Sequence, residues 1–504
     1  MQFGVSEAVA HWGRYRSQVC AVIQGTRKIS FGELNKLANG MAISLQEKYA
    51  TGERIGIAVK PKLDFLVSLL GILRVGKSAV LLNTGLPDEA LAVNMKDADL
   101  RFVIHDDVTE ARKALFAGSA MVQGLGIDAV LKRVNEESYC EPVWPLRGPG
   151  DEWGVLYSSG TTGIPKGIER DHNSIVTELL GWCLELGLSR KSTFYIGRPI
   201  YYTGGLVLAL STLLVGGRIV LNDFANDNDP NEVWEDYQQT LKEMSLEWAF
   251  FVPDQLRSFL RIAQTQATPL RQAQTILVMG APISGDDKVA VKCELGSDVV
   301  ESWGNSESLG TITDPDDIKT RPNSIGRPFL TDELYIVDEN CKQIIQPDTL
   351  GRIAGSEEAG FYKYCNRPDA TRRVKQNNLI ISEDIGYVDK DNYFYIRGRQ
   401  QDCIVRNGET LFKSDIEGKL RRIKSVAECS ISTRDINDTL FELIAVVVPS
   451  DSHSANKDVF LDEVNAVLTP NEKLTDVLLI KSMPHTSSGK IDRTAVDKLV
   501  RGQQ

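Results

Sequence analysis

Residues 157–168 read YSSGTTGIPKGI, and the rest of the chain is read outward from them. Ser158, Ser159, Thr161 and Thr162 surround Gly160 and Gly163, and Pro165, Lys166 and Gly167 close the run. Hydroxyls, backbone N–H groups freed by glycine and one ammonium are what a loop needs to wrap a polyphosphate. Gly-Val-Leu-Tyr at 154–157 reads as a short buried strand, so the loop leaves a strand end, where α/β folds bind nucleotides. The spacing is not that of a Walker loop, because Pro165 stands where the second glycine of G-x-x-x-x-G-K-[ST] belongs. A P-loop kinase is therefore the least favoured nucleotide enzyme. A surface linker of small polar residues is the plainer alternative, but Pro-Lys-Gly directly after a Thr-Thr-Gly turn argues against it.

The 504 residues exceed a single core, and about three domains is the expectation from length. Apolar content of 42% and charged content of 25% are ordinary for a globular protein. With 57 basic against 68 acidic residues the net charge is −11, which argues against nucleic acid or an anionic membrane as main partner. Residues 1–17, MQFGVSEAVAHWGRYRS, lack the charged-then-apolar pattern of a signal peptide. The most apolar window, 65–73, is too short to span a bilayer. Eight cysteines are scattered without a C-x-x-C pair, which reads as incidental thiols in a reducing cytoplasm. Five histidines, none at ligand spacing, make no case for zinc.

Serine 30 and Glu33 form a capping box that opens a helix, and Phe31, Leu34, Ala38, Met41 and Leu45 mark its apolar stripe. ERIGIAVK (53–60) and RFVIH (101–105) read as strands, with a helix through 65–73 and an apolar run at 79–82 between them. This alternation predicts a parallel sheet with crossover helices. Ile175, Leu179, Cys183 and Leu186 predict an amphipathic helix ended by Gly187. Short apolar runs at 193–196, 218–221, 248–252 and 275–279 predict a second α/β sheet. From about residue 332 the pattern turns to alternating strands, including a hairpin at 386–399 around residues 389–392. After Arg399 the last hundred residues read as a small α+β unit ending in Ser487-Ser488-Gly489-Lys490.

The 157–168 run resembles the signature phosphate loop of the acyl-adenylate-forming (ANL) superfamily, which comprises acyl-CoA synthetases, adenylation domains and luciferases. The resemblance extends over about residues 28–494 and is weak at 106–150 and 222–245. It implies a large N-terminal domain of α/β sheets with a β-rich subdomain (1–399) and a small mobile α+β C-terminal lid domain (400–504). Trp303-Gly304-Asn305-Ser306-Glu307 resembles the family's aromatic-Gly-x-Thr-Glu stretch. There the aromatic stacks on adenine, the hydroxyl touches the α-phosphate and the glutamate holds magnesium, a fitting ligand for a hard cation. The resemblance thus makes Glu307, with Thr161, the magnesium ligands. Gly280, Ala281 and Pro282 resemble the Gly-Ala-Pro near adenine. Asp384, in Ser-Glu-Asp-Ile-Gly, takes the ribose hydroxyls, although Glu383 replaces the expected glycine. Arg399 is implied near ribose or phosphate. Lys490 resembles the lysine that reaches the carboxylate and α-phosphate during adenylation, where a cation stabilises developing charge.

The acyl pocket follows from the same resemblance. His172 positions the site, with Asp171 replacing the family's threonine, and Tyr202, Thr203 and Gly204 stand in its Pro-Leu-Phe-His-x-x-Gly run, Tyr202 in place of histidine. Residues 248–253, with Phe251, supply more wall. No aspartate nearby suits an α-ammonium, which lowers the case for amino acid substrates. Gln401 stands at the hinge position that usually holds Asp or Lys. The function implied is ATP- and Mg2+-dependent activation of a small carboxylic acid to an acyl-adenylate, then transfer to coenzyme A. The alternative acceptor is phosphopantetheine on a separate carrier protein. Coenzyme A is preferred because no carrier domain follows Gln504. A nucleotide-binding protein without catalysis is the reading from another class, and Lys166, Glu307, Asp384, Arg399 and Lys490 together speak against it.

Overall fold

The computed structural model describes residues 4–46, 54–60, 62–106, 123–126, 144–145, 147–157, 165–222, 229–265, 272–281, 283–307, 309–357, 360, 363–435, 441–450, 457–486 and 491–502. They form two compact units. One holds the described residues up to 157 together with 165–334 and 355–380; the other holds 335–354 and 381 onward.

The first unit is built on two large sheets. In the seven-stranded one the order is Lys363–Tyr364, Gly167–Asp171, Glu152–Tyr157, Ser78–Leu81, Arg54–Ala58, Phe102–His105, Gln123–Gly126. Pairing is parallel from Glu152–Tyr157 onward and antiparallel at the two strands before it. The nine-stranded sheet has a parallel centre of Cys20–Gln24, Arg218–Leu221, Thr193–Ile196, Trp248–Phe251, Thr275–Met279 and Asp298–Gly304. The succession of strands and helices read from the sequence predicted parallel sheet with crossover helices, and the two sheets bear it out.

One apolar core joins residues of both sheets with the helices Phe31–Gln46, Lys62–Arg74, His172–Glu185 and Thr203–Leu214. Lys62–Arg74 is buried at every position, as befits a helix without a polar face. Its charges are therefore satisfied inside: Arg74 donates to Ser6 Oγ and to the carbonyl of Asn35, and Asp64 pairs with Arg27. The capping box forms as read, with Ser30 N–H donating to Glu33 at 2.8 Å and Glu33 N–H to Ser30 Oγ at 3.2 Å. The other face of the nine-stranded sheet is covered by Pro230–Glu243 and Pro253–Thr265. Successive strand residues therefore serve different cores: Phe250 belongs to the first and Phe251 to the second.

The β-rich part is a five-stranded sheet, Leu334–Val337, Gly351–Ser356, Leu379–Val388, Lys375–Gln376, with Phe394–Arg399 also on Leu379–Val388. Its last hairpin turns where expected: Asp389 N–H donates to the Tyr393 carbonyl and Asn392 takes φ 63°. Beyond it the second unit holds the hairpin Cys403–Arg406 with Glu409–Phe412. A three-stranded sheet, Val426–Asp435, Phe441–Pro449 and Asp476–Leu479, shares its core with helices Lys413–Leu420 and Lys457–Ala466. This is the α+β composition expected. Among the described residues no helix is long and apolar enough to cross a membrane.

Candidate active site

The hairpin of Glu152–Tyr157 and Gly167–Asp171 is the anchor. From Trp153 to Tyr157 every residue of its first strand is buried, so the strand is held on both faces. Ser158, Ser159, Gly160, Thr161, Thr162 and Gly163 lie outside the described residues. Lys166, on the return of that loop, is described. Its ammonium sits 5.3 Å from the centre of the Tyr364 ring, within cation–π range. The Tyr364 hydroxyl in turn donates to Glu307 Oε1 at 2.5 Å. Lys166 and Glu307, some 140 positions apart in the chain, are thus brought to one side chain that sequence reasoning had not singled out.

Glu307 owes its place to a tight loop at the end of Asp298–Gly304. Trp303 pairs with Thr311 and Gly304 with Gly310 across the antiparallel partner strand. Asn305 closes the loop: its N–H donates to the Leu309 carbonyl, and its Oδ1 accepts from Leu309 N–H. Ser306 and Glu307 therefore stand at the tip of a loop with its own internal bonds. Met279 pairs in parallel with Ser302, so Gly280 and Ala281 leave the sheet beside the Trp303 strand. Gly280 has φ 101°, a conformation open to glycine and costly for other residues. Pro282 lies outside the described residues.

A second cluster forms at the same carboxyl ends of parallel strands, where open α/β sheets bind ligands. Tyr202 directly precedes the helix Thr203–Leu214, and Asn83 Nδ2 donates to its hydroxyl at 3.0 Å. The Tyr201 and Tyr202 rings lie 4.7 Å apart at 54°. A Cβ at Gly204 would come within 2.9 Å of Met279 Sδ and 3.4 Å of Phe250 Cζ, so only glycine fits there without displacement. Thr203 opens the helix beside it. Asn83 was not legible as a site residue, and Phe250 was covered only by the 248–253 stretch read as wall, in which Phe251 was singled out.

Two expected site residues are placed elsewhere. Phe251 is fully buried in the opposite core, with its ring 5.0 Å from Tyr237 and 4.9 Å from Phe259. Strand alternation turns Phe250, not Phe251, toward Gly204. His172 lies at the wrong end of the hairpin: Tyr157 pairs with Gly167 at the loop end and Glu152 with Asp171 at the far end. Five residues at about 3.3 Å each carry His172 roughly 16 Å from Gly167. Its N–H donates to the Asp151 carbonyl, and burial, then the Arg147 charge, pushes its imidazole down to about 4. Asp171 has a structural reason for replacing threonine: its carboxylate accepts Ser174 N–H at 2.7 Å and caps the helix.

In the second unit Asp384 and Arg399 are cross-strand partners, 3.6 Å apart between Oδ1 and Nε. Ser382 Oγ accepts the Asp384 N–H and fixes the carboxylate's backbone. Glu383 lies in regular strand with its side chain exposed, so its replacement of glycine costs nothing in backbone geometry. Lys490 lies outside the described residues. On either side of residues 487–490, His485 and Ile491 form an antiparallel bridge and Asp492 N–H donates to the Pro484 carbonyl. Arg493 grips Glu417 through both Nη atoms at 2.8 and 3.0 Å and approaches Asp402 at 3.5 Å.

The donor set is compatible with magnesium. Among the described residues no three His, Cys, Asp or Glu side chains gather into a cage of protein ligands. Magnesium needs none, since it keeps waters and takes phosphate oxygens beside one or two carboxylates. Glu307, joined to Lys166 through Tyr364, is a carboxylate of the type that could serve this way. The arrangement can hold a polyanion and a hard cation together.

The chain matches the AMP-binding enzyme family over residues 9–362. It is 24% identical over 509 residues to the 3-hydroxybenzoate–CoA ligase of an Aromatoleum species, covering 95% of this chain and 93% of that protein. It is 21% identical over 478 residues to the long-chain-fatty-acid–CoA ligase FadD13 of Mycobacterium tuberculosis, covering 93% and 92%. The fold superposes on the o-succinylbenzoate CoA synthetase of Bacillus subtilis, solved with the acyl-adenylate intermediate OSB-AMP. The TM-score is 0.84 at 21% identity, over 97% of each chain. With the family pattern matched over residues 9–362, well over half of its length, this chain belongs to the AMP-binding enzyme family.

Proposed function

We propose that this protein is an AMP-forming acid–thiol ligase. It joins a small carboxylic acid to AMP from ATP, releases pyrophosphate, and passes the acyl group to the thiol of coenzyme A. The observation that carries the reading is the convergence of Lys166 and Glu307 on Tyr364, beside the strand ends that bear Trp303 and Gly280. A polyphosphate needs a fixed cation and a metal-binding carboxylate at short range, and that pair supplies them.

In this reading the 158–163 loop and Lys166 bind the phosphates, Trp303, Gly280 and Ala281 hold the adenine, and Ser306 reaches the α-phosphate. Asp384 and Arg399 bind the ribose. Glu307 and Thr161 would hold Mg2+, which when bound would supply neutralisation of the phosphate charge. Tyr202, Thr203, Gly204 and Phe250 orient the acid so that its carboxylate oxygen attacks the α-phosphorus and pyrophosphate leaves. Lys490 stabilises the charge that develops there. In the second step the thiol attacks the acyl carbon and AMP departs. Residues 1–399 would be the adenylate-forming domain and 400–504 its lid, working in the cytoplasm. Acid-dependent ATP–pyrophosphate exchange across aliphatic, aryl and amino acids tests the first step, with activity expected on acids lacking an α-ammonium. Absence of exchange with every acid would defeat the proposal. Thioester formation with coenzyme A against phosphopantetheinyl carrier proteins tests the second, and acceptance of carrier alone would move the acceptor assignment.

A further inference from the structure

Tyr364 belongs to a strand of only two residues, Lys363–Tyr364, that pairs with Glu169 and Ile168. So short a strand has little stability of its own, and this one is fixed by its surroundings. Cys365 N–H donates to the Gly167 carbonyl at 2.8 Å, and the Arg367 guanidinium reaches the Pro165 carbonyl at 3.5 Å. Tyr364 N–H donates to Thr371 Oγ1 at 3.1 Å, and Lys363 pairs with Glu169. These bonds fasten residues 363–367 to both sides of Lys166. The tyrosine itself is 3% exposed. Its hydroxyl nevertheless meets Glu307 and its ring face meets Lys166.

We infer that Tyr364 is the positioning residue for both charges of the nucleotide site: its hydroxyl sets the Glu307 carboxylate, and its ring steadies the Lys166 ammonium. The inference rests on the roles given to Glu307 and Lys166 above. The two contacts use different parts of the side chain, and that makes them separable. A phenol hydroxyl donating to a carboxylate makes a charge-assisted bond, and it restricts the carboxylate's rotation. Outer hydrogen bonds of this kind orient metal ligands, and losing one typically weakens metal affinity by ~10–100-fold. The π-face holds a lysine by a weaker attraction, which a phenyl ring retains and an aliphatic side chain does not.

Equilibrium binding of α,β-methylene-ATP to the full chain, without acid substrate, separates the two contacts. Titrations in excess Mg2+ and in EDTA give the nucleotide affinity and the gain that the metal adds. Tyr364→Phe should reduce the metal gain by ~10-fold and leave the EDTA affinity within about 2-fold of the parent. Tyr364→Leu should lose the same gain and also weaken binding in EDTA by ~3-fold. If Tyr364→Phe keeps the full metal gain while Glu307→Gln loses it, the tyrosine assignment fails and the role of Glu307 stands. If Glu307→Gln also keeps the gain, the glutamate is no metal ligand and both readings fall. Equal losses in both buffers for Tyr364→Phe would reduce the residue to packing. Should the leucine variant not fold, the phenylalanine variant still decides.

Discussion

Phe250 and Phe251 show how much one position along a strand decides. Their strand, Trp-Ala-Phe-Phe, is apolar at every residue because both faces of the sheet are covered. Alternation, the usual sign of which side chain faces a site, is absent from such a run. Phe251→Ala opens a hole among Tyr195, Tyr237 and Phe259 and should cost about 3–5 kcal/mol. Thermal melting should show a large fall in Tm, while the KM for the acid in the surviving folded fraction stays as before. Phe250→Ala should instead change which acid is preferred. An altered acid KM for Phe251→Ala with unchanged melting would reverse the assignment. Tyr364 and Asn83 were hidden for another reason: each meets its partner across a long sequence separation, Tyr364 to Glu307 across 57 positions and Asn83 to Tyr202 across 119. Local pattern carries no information at that range. Glu307, by contrast, could be proposed from the sequence, because the Trp303–Glu307 stretch that resembles the family's motif is five consecutive residues.

Elements were read more securely than single site residues. Phe31, Leu34, Ala38, Met41 and Leu45, the stripe read from helical spacing, are all fully buried. The hairpin at 386–399 turns where its Asp and Asn residues predicted. What the pattern could not reveal is how polar groups join separate elements. Asp332 is such a case. Its carboxylate accepts Gly310 N–H at 2.9 Å and Thr331 Oγ1 lies 3.2 Å away, tying the turn after Phe329 to the strand beyond Glu307's loop. Glu178 and the buried Arg170, 2.9 Å from each other, face it from the helix and strand of the hairpin. Burial, and then Glu178, outweighs the Thr331 and Gly310 bonds and Arg170, and pushes Asp332 up to about 7. Unfolded, this carboxyl ionises near 3.8. Below that value both states are protonated and its contribution to stability is complete. As pH rises from about 4 to 7 only the unfolded state releases the proton, so the contribution is lost progressively. Asp332→Asn keeps an acceptor for Gly310 and removes the titration. Its Tm should decline less than the parent's between pH 4 and 7 and exceed it at pH 8. Parallel melting curves for the two proteins across that range would show that Asp332 is ionised in the folded state throughout.

At the scale of the whole chain, the two reaction steps make different electrostatic demands, and this gives Lys490 a distinct signature. In the first step negative charge builds on the α-phosphate as the carboxylate attacks and pyrophosphate leaves, and an ammonium near the phosphorus stabilises it. In the second step the attacked atom is the acyl carbon and AMP is already formed as a leaving group, so the same cation has no such charge to offset. Residues on either side of 487–490 are firmly held. His485 bridges Ile491, Asp492 bonds back to Pro484, and Arg493 is clamped by Glu417, which also accepts Ile431 N–H. Replacing Lys490 should therefore leave the surrounding unit folded, and the loss can be read as chemistry. Lys490→Ala should slow acid-dependent pyrophosphate exchange by ~10²–10³-fold, the usual loss for a charge-stabilising donor. Thioester formation from chemically prepared acyl-adenylate and coenzyme A should continue at nearly the parent rate. Arg493→Ala is the contrasting variant: it strips the buried Glu417 carboxylate of its bidentate partner, so Tm should fall and both steps should suffer together. If Lys490→Ala behaves like Arg493→Ala in both steps, the lysine is a structural residue and the charge assignment is wrong.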